Sequence, residues 1–157
     1  MKILVSGFKG YNNSSKILLD NLPNNISKLY LENNREKSVN QLLKIAVAYD
    51  IILLFGQKPI LKNRISVERK AVLNGDTVLS QFNFKEIKDF FTGKYPLKFS
   101  DHAGTSYCNY LYYYGLKEFS DSKNKIVFIH IPMLKNVDDM MDLSCIIKSY
   151  IAYLTEL

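Results

Sequence analysis

Short apolar runs alternate with helical patterns along this chain, and that alternation limits the folds open to it. Residues 3–6, 51–55 and 126–131 are almost bare of polar side chains and read as strands buried on both faces. Residues 28–32 and 97–100 read as shorter strands, the latter the end of an apolar run that begins at Tyr95, and 65–73 as a longer β-like run closed by the turn signal Asn74-Gly75-Asp76. Between them lie helical patterns at 14–22, with Asn13 or Ser14 as N-cap, and at 36–49, 84–91, 105–119 and 137–157. Pro132 stops the strand before the last helix. Fully apolar strands separated by helices predict a three-layer α/β/α sandwich with a mostly parallel central sheet. One domain spanning residues 1–157 is expected from the length. In such sheets ligands bind beyond the carboxyl ends of the strands. Gly7-Phe8-Lys9-Gly10-Tyr11-Asn12-Asn13, Gly56-Gln57-Lys58-Pro59, the segment around Cys108 and His130-Ile131-Pro132 all follow or end strands, so one rim is expected to gather them.

Two cysteines, Cys108 and Cys145, argue against a disulfide framework and match no zinc spacing. The apolar start is too short for a signal peptide, and no run approaches membrane-span length. A cytoplasmic protein is expected. The net charge of +6 and eleven tyrosines raise the question of nucleic acid. The basic residues from Lys58 to Lys98 are dispersed among acidic ones, so they read as a solvated surface, and neither a nucleic-acid nor a membrane partner is expected.

Cys108 falls in the first turns of a helix, in Ala103-Gly104-Thr105-Ser106-Tyr107-Cys108-Asn109-Tyr110. A helix N-terminus favours a thiolate, which makes Cys108 a candidate nucleophile. Its helical spacing with Tyr112 and Leu116 equally suits a small core residue. His130 ends an apolar strand; a histidine there is either a satisfied core residue or the base of a Cys–His pair. His102 competes for that role but sits in a turn without a rigid mount. Glu68, in Ser66-Val67-Glu68-Arg69, is either the carboxylate that orients an imidazole or a surface partner of Arg64 or Arg69. Cys145, amid the apolar neighbours Leu143, Ile146 and Ile147, is expected to be a buried structural thiol.

Taken together these segments resemble pyroglutamyl peptidase I (pyrrolidone-carboxylate peptidase), a family of cysteine peptidases. The nucleophile stretch is similar from Ser100 to Tyr110, the histidine stretch from Phe128 to Pro132 and the glutamate stretch from Ile65 to Asn74. The family's Gly-Phe-x-x-Phe-Gly-Gly opening is echoed by residues 7–13. The resemblance implies a Cys108–His130–Glu68 triad, with Cys108 and His130 within or slightly beyond hydrogen-bond reach, roughly 3–4 Å. It implies substrate contacts from Phe8, Tyr11 and Gln57, with Phe8 and Tyr11 sandwiching a flat lactam. No metal or cofactor is implied. The implied substrate is a peptide or small amide with a blocked N-terminus, and homo-oligomers are implied as well. The chain departs from the pattern in Asn12 and Asn13, in a longer loop after Gln57, in His102, and in a missing segment after Asn74 that carries an arginine in relatives. The alternative is a weak or inactive binding protein on the same fold.

Overall fold

A computed structural model describes residues 1–157. The order is β1 (Ile3–Phe8), α1 (Ser14–Asn21), β2 (Ser27–Leu31), α2 (Arg35–Ala46), β3 (Ile51–Gln57), β4 (Ile65–Glu68), β5 (Lys70–Leu73) and β6 (Asp76–Leu79). Then come α3 (Phe84–Phe90), β7 (Leu97–Ser100), α4 (Tyr107–Glu118), β8 (Lys125–Ile131), a single 3₁₀ turn (Leu134–Asn136) and α5 (Met140–Glu156). Side-chain caps set three of the helix starts. Asn13 accepts from Ser15 N at 3.0 Å, Asn34 from Lys37 N at 2.9 Å and Asp139 from Met141 N at 2.9 Å. The last cap moves the start of α5 to Met140, three residues after the expected position.

Six strands form one sheet in the order β2-β1-β3-β8-β4-β7. The strands β2, β1, β3 and β8 run parallel; β4 pairs with β8 antiparallel, and β7 runs with β4. Alternate strand residues feed two cores. Val5, Leu53, Phe55, Val127 and Ile129 pack against α1, α3 and α5. Leu4, Phe8, Ile52, Leu54 and Phe128 pack against α2 and α4. The result is a three-layer α/β/α sandwich, and its sheet is mostly parallel.

Three details differ from the expectation. The β-like run 65–73 splits at Arg69 into β4 and β5, because Arg69 turns outward to hold Asp101 at 2.8 and 2.6 Å. β5 then leaves the main sheet and pairs with β6 in a separate hairpin. Its two-residue turn uses Asn74 at φ 50° and Gly75 at φ 77°, the positive pair that suits a tight hairpin. The hairpin packs on α4 through Asn109, whose Nδ2 donates to Val72 O at 2.8 Å. Finally, β7 runs opposite to β8, so it ends away from the rim that carries His130. The loop 101–106 brings the chain back to the start of α4, and the single-rim expectation fails for the exit of β7.

Candidate active site

The site lies on the α2/α4 face of the sheet, at the carboxyl ends of β3 and β8. Register places Gly56 beside His130 across the β3–β8 pair, and Ser66 beside His130 across β8–β4. Glu68 stands opposite Phe128. Residues two apart on a strand share a face, so Phe128, His130, Ser66, Glu68 and Gly56 all address the same layer.

His130 and Glu68 are in direct contact. The imidazole Nδ1 lies 2.8 Å from Glu68 Oε1, with His130 3 % and Glu68 0 % exposed. Oε1 also accepts from Ser66 Oγ at 3.2 Å and from Lys58 Nζ at 3.1 Å. Burial by itself raises the Glu68 carboxyl; the hydrogen bond from His130 and the neighbouring Lys58 cation outweigh it and hold the group below its ordinary range. A carboxylate only accepts, so Nδ1–H is the donor and Nε2 keeps its lone pair. Burial in turn lowers His130, against the pull of Glu68, so the ring is neutral near pH 7.

Cys108 reaches the same place from α4. A Cβ on Gly56 would stand 2.9 Å from Cys108 Sγ and 2.9 Å from Phe128 Cζ, so the thiol sits directly over the residue paired with His130. Only glycine leaves room for it there. The thiol is 7 % exposed and forms no hydrogen bond in the resting structure. The surroundings of the thiol work against a ready thiolate. Burial, with the Glu68 charge, pushes the thiol up to about 12, and Lys58 only partly opposes this. The resting arrangement is a neutral thiol beside a neutral imidazole.

The start of α4 supplies donors. Ser106 is the N-cap but its side chain caps nothing, and the first α4 amide with a protein acceptor is that of Tyr110, bonded to Ser106 O at 3.2 Å. The amides of Tyr107, Cys108 and Asn109 are thus available to an oxyanion forming at Sγ.

The three substrate residues are not brought together as expected. Phe8 is 1 % exposed and its ring packs on Tyr107 at 4.8 Å, whereas Tyr11 is 85 % exposed. The ring that meets Phe8 beside the thiol is therefore Tyr107, not Tyr11. Gln57 spends its Oε1 on Ser14 N at 3.0 Å, which holds the start of α1 and leaves its amide nitrogen free. His102 is exposed, and its Nδ1 accepts from Gly104 N at 3.0 Å, a turn contact that takes it out of competition with His130. Lys58 and Tyr107 are the residues that reading the sequence missed. The lysine carries no motif, and Tyr107 reads in the sequence only as the neighbour of the cysteine. Cys145 is exposed, not buried: two helix positions from Leu143 and Ile147, it faces the opposite side of α5.

Two cavities, of about 710 and 480 Å³, lie at the amino ends of the strands around Met1 and away from Cys108. No group of acidic, histidine or cysteine side chains is placed to hold a metal.

No protein-family model matches this chain, and no curated protein does. Solved structures do match. Pyroglutamyl peptidase I from Bacillus amyloliquefaciens superposes with a TM-score of 0.79 over 93 % of this chain and 90 % of that one, at 21 % identity. A mutant pyrrolidone carboxyl peptidase from the hyperthermophile Pyrococcus furiosus gives 0.82 over 100 % of both chains, at 22 % identity. The fold is that of pyroglutamyl peptidase I. On this pyroglutamyl peptidase fold, the resting thiol is buried, and Glu68 is shared between His130 and Lys58. No helix is long and apolar enough to cross a membrane.

Proposed function

We propose that the chain is a cysteine peptidase that hydrolyses the amide bond after an N-terminal pyroglutamyl or similarly small acyl group. One observation carries this reading: a buried Glu68–His130 hydrogen bond of 2.8 Å on the strand next to Gly56, over which the only thiol of that face is seated. Core packing has no need of a buried carboxylate on an imidazole, and burial without a role is costly.

The chemistry follows from the protonation states. Substrate entry brings the amide carbonyl to Sγ. As Sγ attacks carbon, Nε2 of His130 takes the thiol proton, and Glu68 steadies the imidazolium through Nδ1–H. The tetrahedral oxygen is received by free amides at the start of α4. His130 then gives its proton to the leaving amine, and a thioester remains on Cys108. Water, deprotonated by His130, attacks the thioester; the acid leaves and the thiol is restored. No metal or cofactor enters. Phe8 and Tyr107 offer aromatic surface to a flat acyl group beside the thiol.

The small opening to Cys108 favours a second reading, a binding protein that keeps the fold without turnover. One assay separates them. Wild-type protein should release the chromophore from a pyroglutamyl anilide and Cys108→Ser should not. Equal, background-level rates in both would leave the binding protein.

A further inference from the structure

Lys58 is the first residue after β3. Its backbone N–H donates to Ile131 O at 3.0 Å, which anchors it one residue from His130. Its ammonium makes two bonds. One runs to Glu68 Oε1 at 3.1 Å, the other to the carbonyl of His102 at 3.0 Å. The first partner belongs to the buried pair and the second to the loop that delivers Cys108. Lys58 thus joins the two halves of the site, and its side chain is only 19 % exposed.

The carboxylate shows what the lysine does. Three donors, from His130, Ser66 and Lys58, converge on Oε1, whereas Oε2 is buried without any partner. A carboxylate free to rotate would divide its donors between its oxygens. Here the cation and the imidazole select the same one.

We propose that Lys58 is a positioning residue: it fixes the Glu68 oxygen that faces His130 and ties the nucleophile loop to the end of β3. The inference rests on the reading of His130 as the base that serves Cys108. Lys58 touches no reacting atom. It acts through Glu68, keeping the proton on Nδ1 and the lone pair on Nε2. The charged and titratable groups around the ring are Glu68 from β4, Lys58 after β3 and Cys108 from α4. Arg69 and Asp101 are paired with one another at the surface, Arg35 is bonded to Thr105 O, and His102 is turned to Gly104.

The test uses Lys58→Met, which keeps the stem and removes the charge, and Lys58→Arg, which keeps the charge. Lys62→Met, at an exposed lysine of the same loop, is the control. The imidazole nitrogens of His130 are followed by NMR against pH, without substrate. In wild type, Lys58→Arg and Lys62→Met the neutral ring should be protonated at Nδ1. In Lys58→Met its titration should move to higher pH, because a neighbouring cation has gone, and the Nδ1–H signature should weaken. In the same variant kcat for a pyroglutamyl anilide should fall at least about 10-fold with KM little changed, a part of the ~10²–10⁴-fold that acid–base catalysis contributes. An unchanged His130 titration in Lys58→Met overturns the proposal, whatever happens to the rate. A shifted titration in a protein that hydrolyses no pyroglutamyl anilide supports it and refutes the peptidase reading instead.

Discussion

Gly56→Ala probes the joint between sheet and thiol. Gly56 has no positive φ, so alanine is tolerated by the backbone, and only the new methyl matters. That methyl would stand 2.9 Å from Cys108 Sγ, 2.9 Å from Phe128 Cζ and 3.1 Å from Phe128 Cε1. Comfortable contact between carbons is at about 3.5–4.0 Å, so both neighbours must retreat by roughly 0.6 Å or more. Neither does so easily. Phe128 is fully buried, with its ring against Tyr112 at 5.7 Å and His130 at 4.6 Å. Overpacking of this kind costs about 1–3 kcal/mol. For a domain of this size, each kcal/mol lowers Tm by about 2–4 °C, so a drop of roughly 2–12 °C is expected. The displaced thiol adds a second effect, since a misplacement of ~1 Å can remove about 10²-fold of rate. Gly115→Ala, on the helix that carries Cys108 but about two turns from it, is the control: its Cβ would meet Ile126 Cδ1 at 2.7 Å, the tip of a flexible side chain that can turn aside. Thermal unfolding and anilide hydrolysis should show Gly56→Ala destabilised and slowed beyond what its stability explains, and Gly115→Ala with an unchanged rate. A Gly56→Ala protein with wild-type Tm and rate would refute the placement of the thiol over β3.

Two further outcomes follow from burial and charge. Iodoacetamide near neutral pH should modify exposed Cys145 first and Cys108 slowly, because the Cys108 thiol is buried and held up at about 12; peptide mapping that finds Cys108 labelled first would contradict this environment. Stability should fall on acidification. His130 and Glu68 are both lowered in the folded state, so each contributes fully above its unfolded value, about 6.5 for histidine and 4.3 for glutamate, and the contribution is lost as pH falls through the folded values. Urea unfolding of wild type should lose stability from roughly pH 6.5 downward. His130→Asn should lose little between pH 7 and 5, and parallel curves for the two proteins would remove His130 from the account.

The layers of the fold were legible because burial on both faces leaves a mark that short-range context cannot hide. Runs such as Ile51 to Phe55 admit few other readings. The direction of β4 was not legible, since an apolar strand looks the same in either orientation. The strand β6 is hard to read because it is short and mostly exposed, although the Asn74-Gly75 turn before it is plain. In the site, Glu68, Cys108 and His130 could be found through segments with a recognisable order. Their chemistry could not: the thiol's resistance to ionisation comes from Glu68 and burial, neither visible at Cys108 itself. Lys58 escaped notice because a lysine in a polar loop ordinarily faces water, and its partner Glu68 is distant in sequence. Cys145 was misread from its neighbours in sequence, when helix geometry turns them to the opposite side.

The central claim is that Cys108 carries the acyl group. Rapid acid quenching of wild-type protein with a pyroglutamyl ester or anilide, followed by mass spectrometry of its peptides, tests it directly. The account predicts one pyroglutamyl group on the peptide containing Cys108, none on that containing Cys145, and a longer-lived adduct in Glu68→Gln. Hydrolysis that proceeds without an adduct on Cys108 and survives in Cys108→Ser would contradict it.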